Sequence, residues 1–329
     1  MATRVPAVGK PEAGLLYAVR SGLAATGRKA GNGLRVMLRT WAGRIGLAVV
    51  LLHLTLALIG PWLAPYSPTE FQRPLSEYQL APPSTQFWLG TDQFGRDVFS
   101  RLMSGATSII WLSVAGTVIG VTLGTAIGMS SGYKGGRVDE IVMRIVDGMY
   151  AFPTLLLALL VLTTLGSTSE FWLRAPFSLM PTDWRQPASI ILTIGVVFTP
   201  GTARVMRSTT LSLKTMEFVQ SARLRGESAP YIVFREILPN VLPVLGVEAT
   251  VRLSYAILTV SSLGFLGLGV QPPSPDWGLT ISESWASLAS APWVALPSMA
   301  AVASLIVGVN LLADGVRQAG RMAREEDRP

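Results

Sequence analysis

The sequence has no cysteine and a single histidine, His53. Disulfides, thiolate catalysis and cysteine-based zinc or iron–sulfur sites are excluded, and so is a multi-histidine metal centre. It has no glycine-rich loop ending in Gly-Lys-Ser/Thr, so ATP hydrolysis by that device is excluded. Charge is scarce as well. Asp, Glu, Lys and Arg make up 14% of the 329 residues, where a soluble domain carries about 25%. Half of the residues, 50%, are hydrophobic, and they fall in long runs that avoid water. The first 43 residues are basic and Gly/Ala-rich and lack the early apolar run of a cleavable signal peptide.

A membrane-spanning helix needs about 20 mostly apolar residues. Six segments qualify: Ile45–Leu63, Ile109–Met129, Ile141–Leu165, Ile190–Met206, Leu242–Leu268 and Leu296–Leu312. The reading is an all-α membrane protein, a six-helix bundle over 44–318, with a cytoplasmic basic segment at 1–43 and a cytoplasmic tail at 319–329. Orientation follows from Lys and Arg, which gather on cytoplasmic loops. Arg4, Lys10, Arg20, Arg28, Lys29, Arg35, Arg39 and Arg44 precede the first span. Lys134 and Arg137 join spans 2 and 3. Arg204, Arg207, Lys214, Arg223, Arg225 and Arg235 lie around the loop between spans 4 and 5, and Arg317, Arg321, Arg324 and Arg328 end the chain. The opposite side has only Arg73, Arg96, Arg101, Arg174 and Arg185. Both termini are therefore expected in the cytoplasm, as an even number of spans also requires. The net charge of +7 is read as this bias, not as a nucleic-acid footprint. The basic N-terminal segment is read either as an amphipathic helix on the anionic inner leaflet, with a partial helix near Leu34–Trp41, or as disordered chain. Trp62, Trp88, Trp172, Trp184, Trp277, Trp285 and Trp293 fall on outer segments, where indoles anchor to the interface.

Within the spans, Gly116, Gly120, Gly124, Gly128 and Gly132 recur every four residues and form one stripe, over which another helix backbone can come close. Pro153 and Pro200 remove backbone donors and should kink spans 3 and 4. Asp147, Glu248 and Arg252 fall at membrane depth, where charge is costly and turns to an interior or a wet cavity. Glu248 and Arg252 are four apart and meet on one helix face, either as a neutralised packing pair or as a polar patch on a pathway. His53 is expected to be neutral and packed.

The loop at 208–240 is long and basic. Residues 215–225 form a helix with Met216, Val219 and Ala222 on one side. Gly226 suits the left-handed residue that ends it. Ser228 can cap a second helix, with Pro230 in its first turn and Pro239 closing it. A basic, exposed helix–turn–helix between two spans is built to dock a partner, and its tether to the membrane argues against DNA.

In these residues the loop resembles the coupling-loop signature of ABC importer permeases. Gln220-Ser221-Ala222, Gly226 and Leu238-Pro239 stand at the signature's spacing. Gln220, Ser221 and Glu236 depart from its acid, first alanine and isoleucine. Glu217-Phe218-Val219-Gln220 and Ile237-Leu238-Pro239-Asn240 are similar to the peptide and nickel branch. Three more segments match in order: Leu89–Arg101 in the outer loop at 65–103, Phe265–Gly269 with Pro273 and Pro275-Asp276-Trp277-Gly278, and Asn310–Arg317. Together they resemble the C-type permease of dipeptide, oligopeptide and nickel importers. One departure is the absence of a basic residue in Ala106-Thr107-Ser108 after Gly105.

The resemblance implies a multi-pass protein of the bacterial inner membrane that is not itself an enzyme and has no catalytic or metal-binding residue. It implies a second homologous permease subunit, two cytoplasmic ATPase subunits that bind ATP and Mg, and an extracytoplasmic solute-binding protein. Glu217, Gln220, Ser221, Ala222, Gly226, Leu238 and Pro239 would couple to an ATPase. Asp92, Arg96 and Asp97 would contact the binding protein, or instead hold their loop by local ion pairs. Small peptides are the expected solute, with nickel or another small solute as alternatives within the class. An ion-gradient secondary transporter is the other reading, but it would want internal repeats and mid-membrane ion ligands that the chain does not display.

Overall fold

The computed structural model describes residues 38–166, 170–173 and 180–326. The basic residues from Arg4 to Arg35, most of the helix expected at Leu34–Trp41, Arg174 and Arg328 lie outside the described residues. All regular elements among those described are helices, apart from an isolated bridge between Thr91 and Asp97.

The helices, in chain order, are α1 (Trp41–Leu63), a short α2 (Leu75–Tyr78), α3 (Val98–Lys134), α4 (Gly136–Tyr150), α5 (Thr154–Thr164), α6 (Thr182–Leu213), α7 (Glu217–Leu224), α8 (Ala229–Phe265), α9 (Trp277–Ser284) and α10 (Pro292–Glu326). Five of them, α1, α3, α6, α8 and α10, are long and apolar enough to cross a membrane.

The third expected span, Ile141–Leu165, is not one helix. It is broken into α4 and α5, which are bent 98° apart. Pro153 is the cause: it has no N–H to continue the ladder, and it steers Phe152 away from helical geometry. Pro153 itself is extended, with ψ 130°, and opens α5. Pro200, by contrast, lies inside a continuous α6.

The ends also differ from the hydropathy estimate. α3 starts at Val98, well before Ile109, because the Asp97 carboxylate caps it by accepting from the Ser100 N–H at 2.8 Å. α8 starts at Ala229, outside the apolar run.

The glycine stripe is where α3 lies on α6. A Cβ placed on Gly120 would stand 2.9 Å from the Gly195 carbonyl oxygen, and one on Gly132 would stand 3.0 Å from that of Arg207. Small residues thus bring two backbones into contact, the source of helix association where lipid supplies no hydrophobic drive. Around this seam Ile109, Leu112, Ile190, Ile194, Phe198, Ile257 and Leu263 form the main core. α1 seats on α10 in the same way: a Cβ placed on Gly46 would stand 2.9 Å from the Gly308 carbonyl oxygen.

Trp62, Trp88, Trp184 and Trp285 are exposed, as interface anchors are. Trp172 and Trp277 are fully buried instead. The Trp277 Nε1–H donates to the Leu102 carbonyl at 2.8 Å. His53 is buried, with Nδ1 2.9 Å from the Val49 carbonyl oxygen and Nε2 3.2 Å from Ser304 Oγ.

Candidate functional site

The segment between α6 and α8 forms a compact hairpin. α6 ends at Leu213, and the next residue, Lys214, turns back to α3. Its ammonium donates to the carbonyls of Gly132 at 3.0 Å and Tyr133 at 3.3 Å. Those carbonyls end α3, where a cation offsets the negative pole of the helix.

α7 follows at once. Val219 and Ala222 are fully buried and sit on Met129, Met206, Ile232, Ile237 and Val241. Met216, expected on the same face, precedes the helix at its cap position and is half exposed. The Gln220 amide donates back to the Thr215 carbonyl at 3.0 Å.

The helix ends in a Schellman motif. The Glu227 N–H donates to the Ala222 carbonyl at 3.2 Å, and the Gly226 N–H to that of Arg223 at 2.9 Å. Gly226 has φ +78°, a left-handed conformation that only glycine adopts freely. Beyond the turn, Arg225 bridges to Glu236 at 3.2 Å and ties the two arms together.

The second arm departs from expectation in two ways. The Ser228 hydroxyl makes no capping bond. Pro239 does not close the helix, which runs on through it as α8 to Phe265. A π-helical turn at Ile232–Ile237 explains the passage. The Leu238 N–H reaches back five residues to the Val233 carbonyl, so the backbone enters the proline with its register already shifted.

The outer side of this hairpin is exposed and in part apolar. Leu224 is 90% exposed and Phe234 67%. Glu217, Gln220, Ser221, Gly226 and Pro239 share that surface, whereas Ala222 lies beneath it and Leu238 is half-buried. An apolar patch on a base locked into the core is the pattern of a docking surface.

The loop before α3 is organised differently. Asp92, Arg96 and Asp97 are at most 2% exposed. One Asp92 carboxylate oxygen accepts from the N–H groups of Phe94 and Arg96, both at 2.9 Å. The other meets Arg96 Nε at 2.6 Å. Arg96 reaches Glu283 on α9 at 2.6 Å, and Arg101 stands 3.5 Å from the same carboxylate. Of the two readings of Asp92, Arg96 and Asp97, the geometry matches the local one: all three are turned inward and hold the loop. Glu283 and Arg101, which the sequence reading did not single out, complete the network. Beside it Asp276 caps α9 by accepting from the Leu279 N–H at 2.9 Å. Burial pushes its carboxyl up to about 6, against the opposing pull of the Leu279 and Gly278 N–H groups and of Arg101.

The charges at membrane depth are all paired. Asp147 on α4 meets Arg204 on α6 at 2.7 Å, and Arg204 lies 4.6 Å over the Tyr150 ring. Glu248 holds Arg252 at 2.6 Å within α8, with the Thr202 hydroxyl at 3.5 Å. Arg252 also lines a cavity of about 450 Å³ at the α4–α5 break. Among the described residues no three His, Asp or Glu side chains converge as metal ligands.

Comparison with known proteins follows this geometry. Residues 33–83 match the N-terminal TM domain of oligopeptide transport permease C. Residues 120–319 match the binding-protein-dependent transport system inner membrane component, and that stretch contains the whole hairpin. The glutathione transport system permease protein of Escherichia coli O6:K15:H31 is 36% identical over 272 residues, covering 82% of each chain. The dipeptide transport system permease protein of Alkalihalophilus pseudofirmus is 34% identical over 279 residues, covering 84% of each. That of the glutathione system of Pectobacterium atrosepticum is 34% identical over 82% of this chain and 83% of its own. The hairpin that locks its base into the bundle and turns Leu224 and Phe234 outward is therefore set in the expected scaffold: this chain belongs to the binding-protein-dependent transport system inner membrane components, as a multi-pass permease subunit of an ABC importer.

Proposed function

We propose that the chain forms half of the pathway through which an ATP-driven importer brings di- and oligopeptides into the cell. In this reading the 215–239 hairpin seats in a cytoplasmic ATPase subunit. The observation that carries it is the two-faced hairpin, with Leu224 and Phe234 exposed above and Val219, Ala222, Ile232 and Ile237 locked below. The basic residues clustered on the hairpin's side of the bundle support a cytoplasmic position for it and for both termini. The relatives named for glutathione and dipeptide transport support a peptide solute.

The complete machine would contain a second homologous permease, two ATPase subunits holding ATP and Mg, and an extracytoplasmic binding protein. Hydrolysis belongs to the ATPases; this chain contributes contact and passage. A shift driven by ATP requires contacts that differ between two states, and the hairpin supplies them. Its underside touches Met129 of α3, Met206 of α6 and Val241 of α8, so a push on α7 reaches three spans together.

The test is ATP-dependent uptake of labelled di- and oligopeptides into vesicles holding the whole complex, with wild-type chain and with Gly226→Pro. Proline cannot adopt φ +78°. Uptake that needs ATP and collapses in the variant, while the two permeases still assemble, is expected. Uptake driven by an ion gradient and indifferent to ATP overturns the coupling role. ATP-driven uptake of nickel or another solute in place of peptides overturns the peptide assignment alone.

A further inference from the structure

The break between α4 and α5 opens the cavity of about 450 Å³, large enough for a small ligand. Its walls include Tyr150, Phe152, Leu157, Phe198 and Tyr255. Arg252 is the one charged side chain among its lining residues.

The guanidinium is held in place from two sides. Glu248 Oε1 accepts from Nε and lies 2.6 Å from Nη2, which occupies one edge of the fork. Behind it lies Gly201 of α6, where a Cβ would fall on the guanidinium itself. Nη1 makes no hydrogen bond among the described residues, so its two N–H groups remain available.

We propose that this cavity is a carboxylate subsite of the translocation path, with Arg252 taking the free C-terminal carboxylate of a peptide in transit. The proposal rests on the peptide reading above. Arginine suits the task, because its planar fork binds a carboxylate through charge-assisted bonds while another edge stays occupied. Glu248 neutralises the guanidinium when the path is empty, which makes a charge at this depth tolerable. It also tempers the pull on the solute, and a transport site must release what it binds. The aromatic walls accept varied side chains, so selection falls on the group that peptides share.

The experiment compares ATP-driven uptake of a labelled dipeptide and of its C-terminal amide by the whole complex in vesicles, with one binding protein throughout. Wild type is expected to prefer the free acid. Arg252→Gln and the charge-balanced Glu248→Gln/Arg252→Gln pair should lower that preference about tenfold, the effect of losing one charged contact. Uptake of the amide should persist in both, which reports an assembled complex. Arg252→Lys should keep most of the preference. Gly201→Ala, which moves the guanidinium without removing a charge, should lose it.

An acid-to-amide ratio that is absent in wild type, or unchanged in the Arg252→Gln and paired variants, overturns the assignment while the peptide reading stands. Equal loss of both substrates gives Arg252 a purely structural role and overturns it too. A wild-type complex that takes up neither peptide overturns the peptide reading, and the subsite falls with it.

Discussion

Arg207 of α6 grips Asp139 of α4 by the edge of its guanidinium, with Nε 2.6 Å from Oδ1 and Nη2 on the second oxygen. About one turn back along α6, Arg204 holds Asp147, about two turns further along α4, at 2.7 Å. These two pairs fasten the half-span before the break to a helix that leads directly into the 215–239 hairpin. Replacing Asp139 by Asn leaves the Arg207 charge without its partner in a partly buried site. The expected loss is about 1–3 kcal/mol, read as a lower thermal midpoint of the purified complex. Arg207→Lys should lose part of this, because an ammonium cannot reproduce the two-point grip.

A second prediction concerns the α3–α6 seam. Gly120→Leu forces a side chain against the Gly195 backbone, which stands 2.9 Å from the nearest added carbon. Overpacking of this kind costs about 1–3 kcal/mol, and here it should also lower the yield of folded protein in the membrane. Gly148→Ala is the control, since an added Cβ there meets nothing within 4 Å. A variant at Gly120 as stable as the one at Gly148 would show that the seam is looser than described.

The pH dependence of stability should bear the mark of Asp276. Its carboxyl is raised from 3.8 to about 6 in the folded chain, so between those values the native state binds the proton more tightly than the unfolded state. This group therefore favours folding below pH 4 and progressively opposes it as pH rises towards 6 and above, by up to about 3 kcal/mol. Asp276→Asn keeps a cap acceptor for the Leu279 N–H and removes the titration. Thermal inactivation of wild type and variant, compared from pH 4 to pH 7, should show the wild type losing ground to the variant as pH rises.

The exposed hairpin yields the sharpest functional variant. Leu224 is 90% exposed, so Leu224→Glu should leave stability within about 0.5 kcal/mol of wild type. The same change places a charge in the apolar centre of the proposed ATPase contact. ATP-driven uptake should fall at least about tenfold, the loss from roughly 1.4 kcal/mol of weaker docking, and pull-down of the ATPase subunits should fall with it. Full uptake by this variant would move the contact away from α7.

Much of this architecture is legible in the chain itself. Apolar runs mark five of the spans, because a helix in lipid must be apolar over its length. The four-residue recurrence from Gly116 to Gly132 marks the seam, because only close backbone approach calls for it. The Gly226 turn follows from one residue's freedom at positive φ. Other features depend on partners distant in sequence. Asp92, Arg96 and Asp97 read equally as a contact surface or as local ion pairs, and the choice falls to the ion pairs only when Glu283, far along the chain, enters the same network. Trp277 looks like an interface anchor until Leu102 accepts its N–H. Hydropathy sums over Pro153 and so reports one span where the backbone turns by 98°. Pro239 reads as a stop because the π-helical turn before it leaves no compositional trace.

α3 is 37 residues long, from the Asp97 cap to the carbonyls that Lys214 gathers. At a rise of about 1.5 Å per residue it measures roughly 55 Å, nearly twice the hydrocarbon thickness of about 30 Å. One unbroken rod thus begins in the Asp92–Arg96–Glu283 network and ends beneath the 215–239 hairpin. Rods do not need a relay of side chains to carry news from end to end. A tilt of about 5° around the midpoint displaces each tip of such a rod by roughly 2.4 Å, in opposite directions. A displacement at one end of α3 then reaches the other end as leverage.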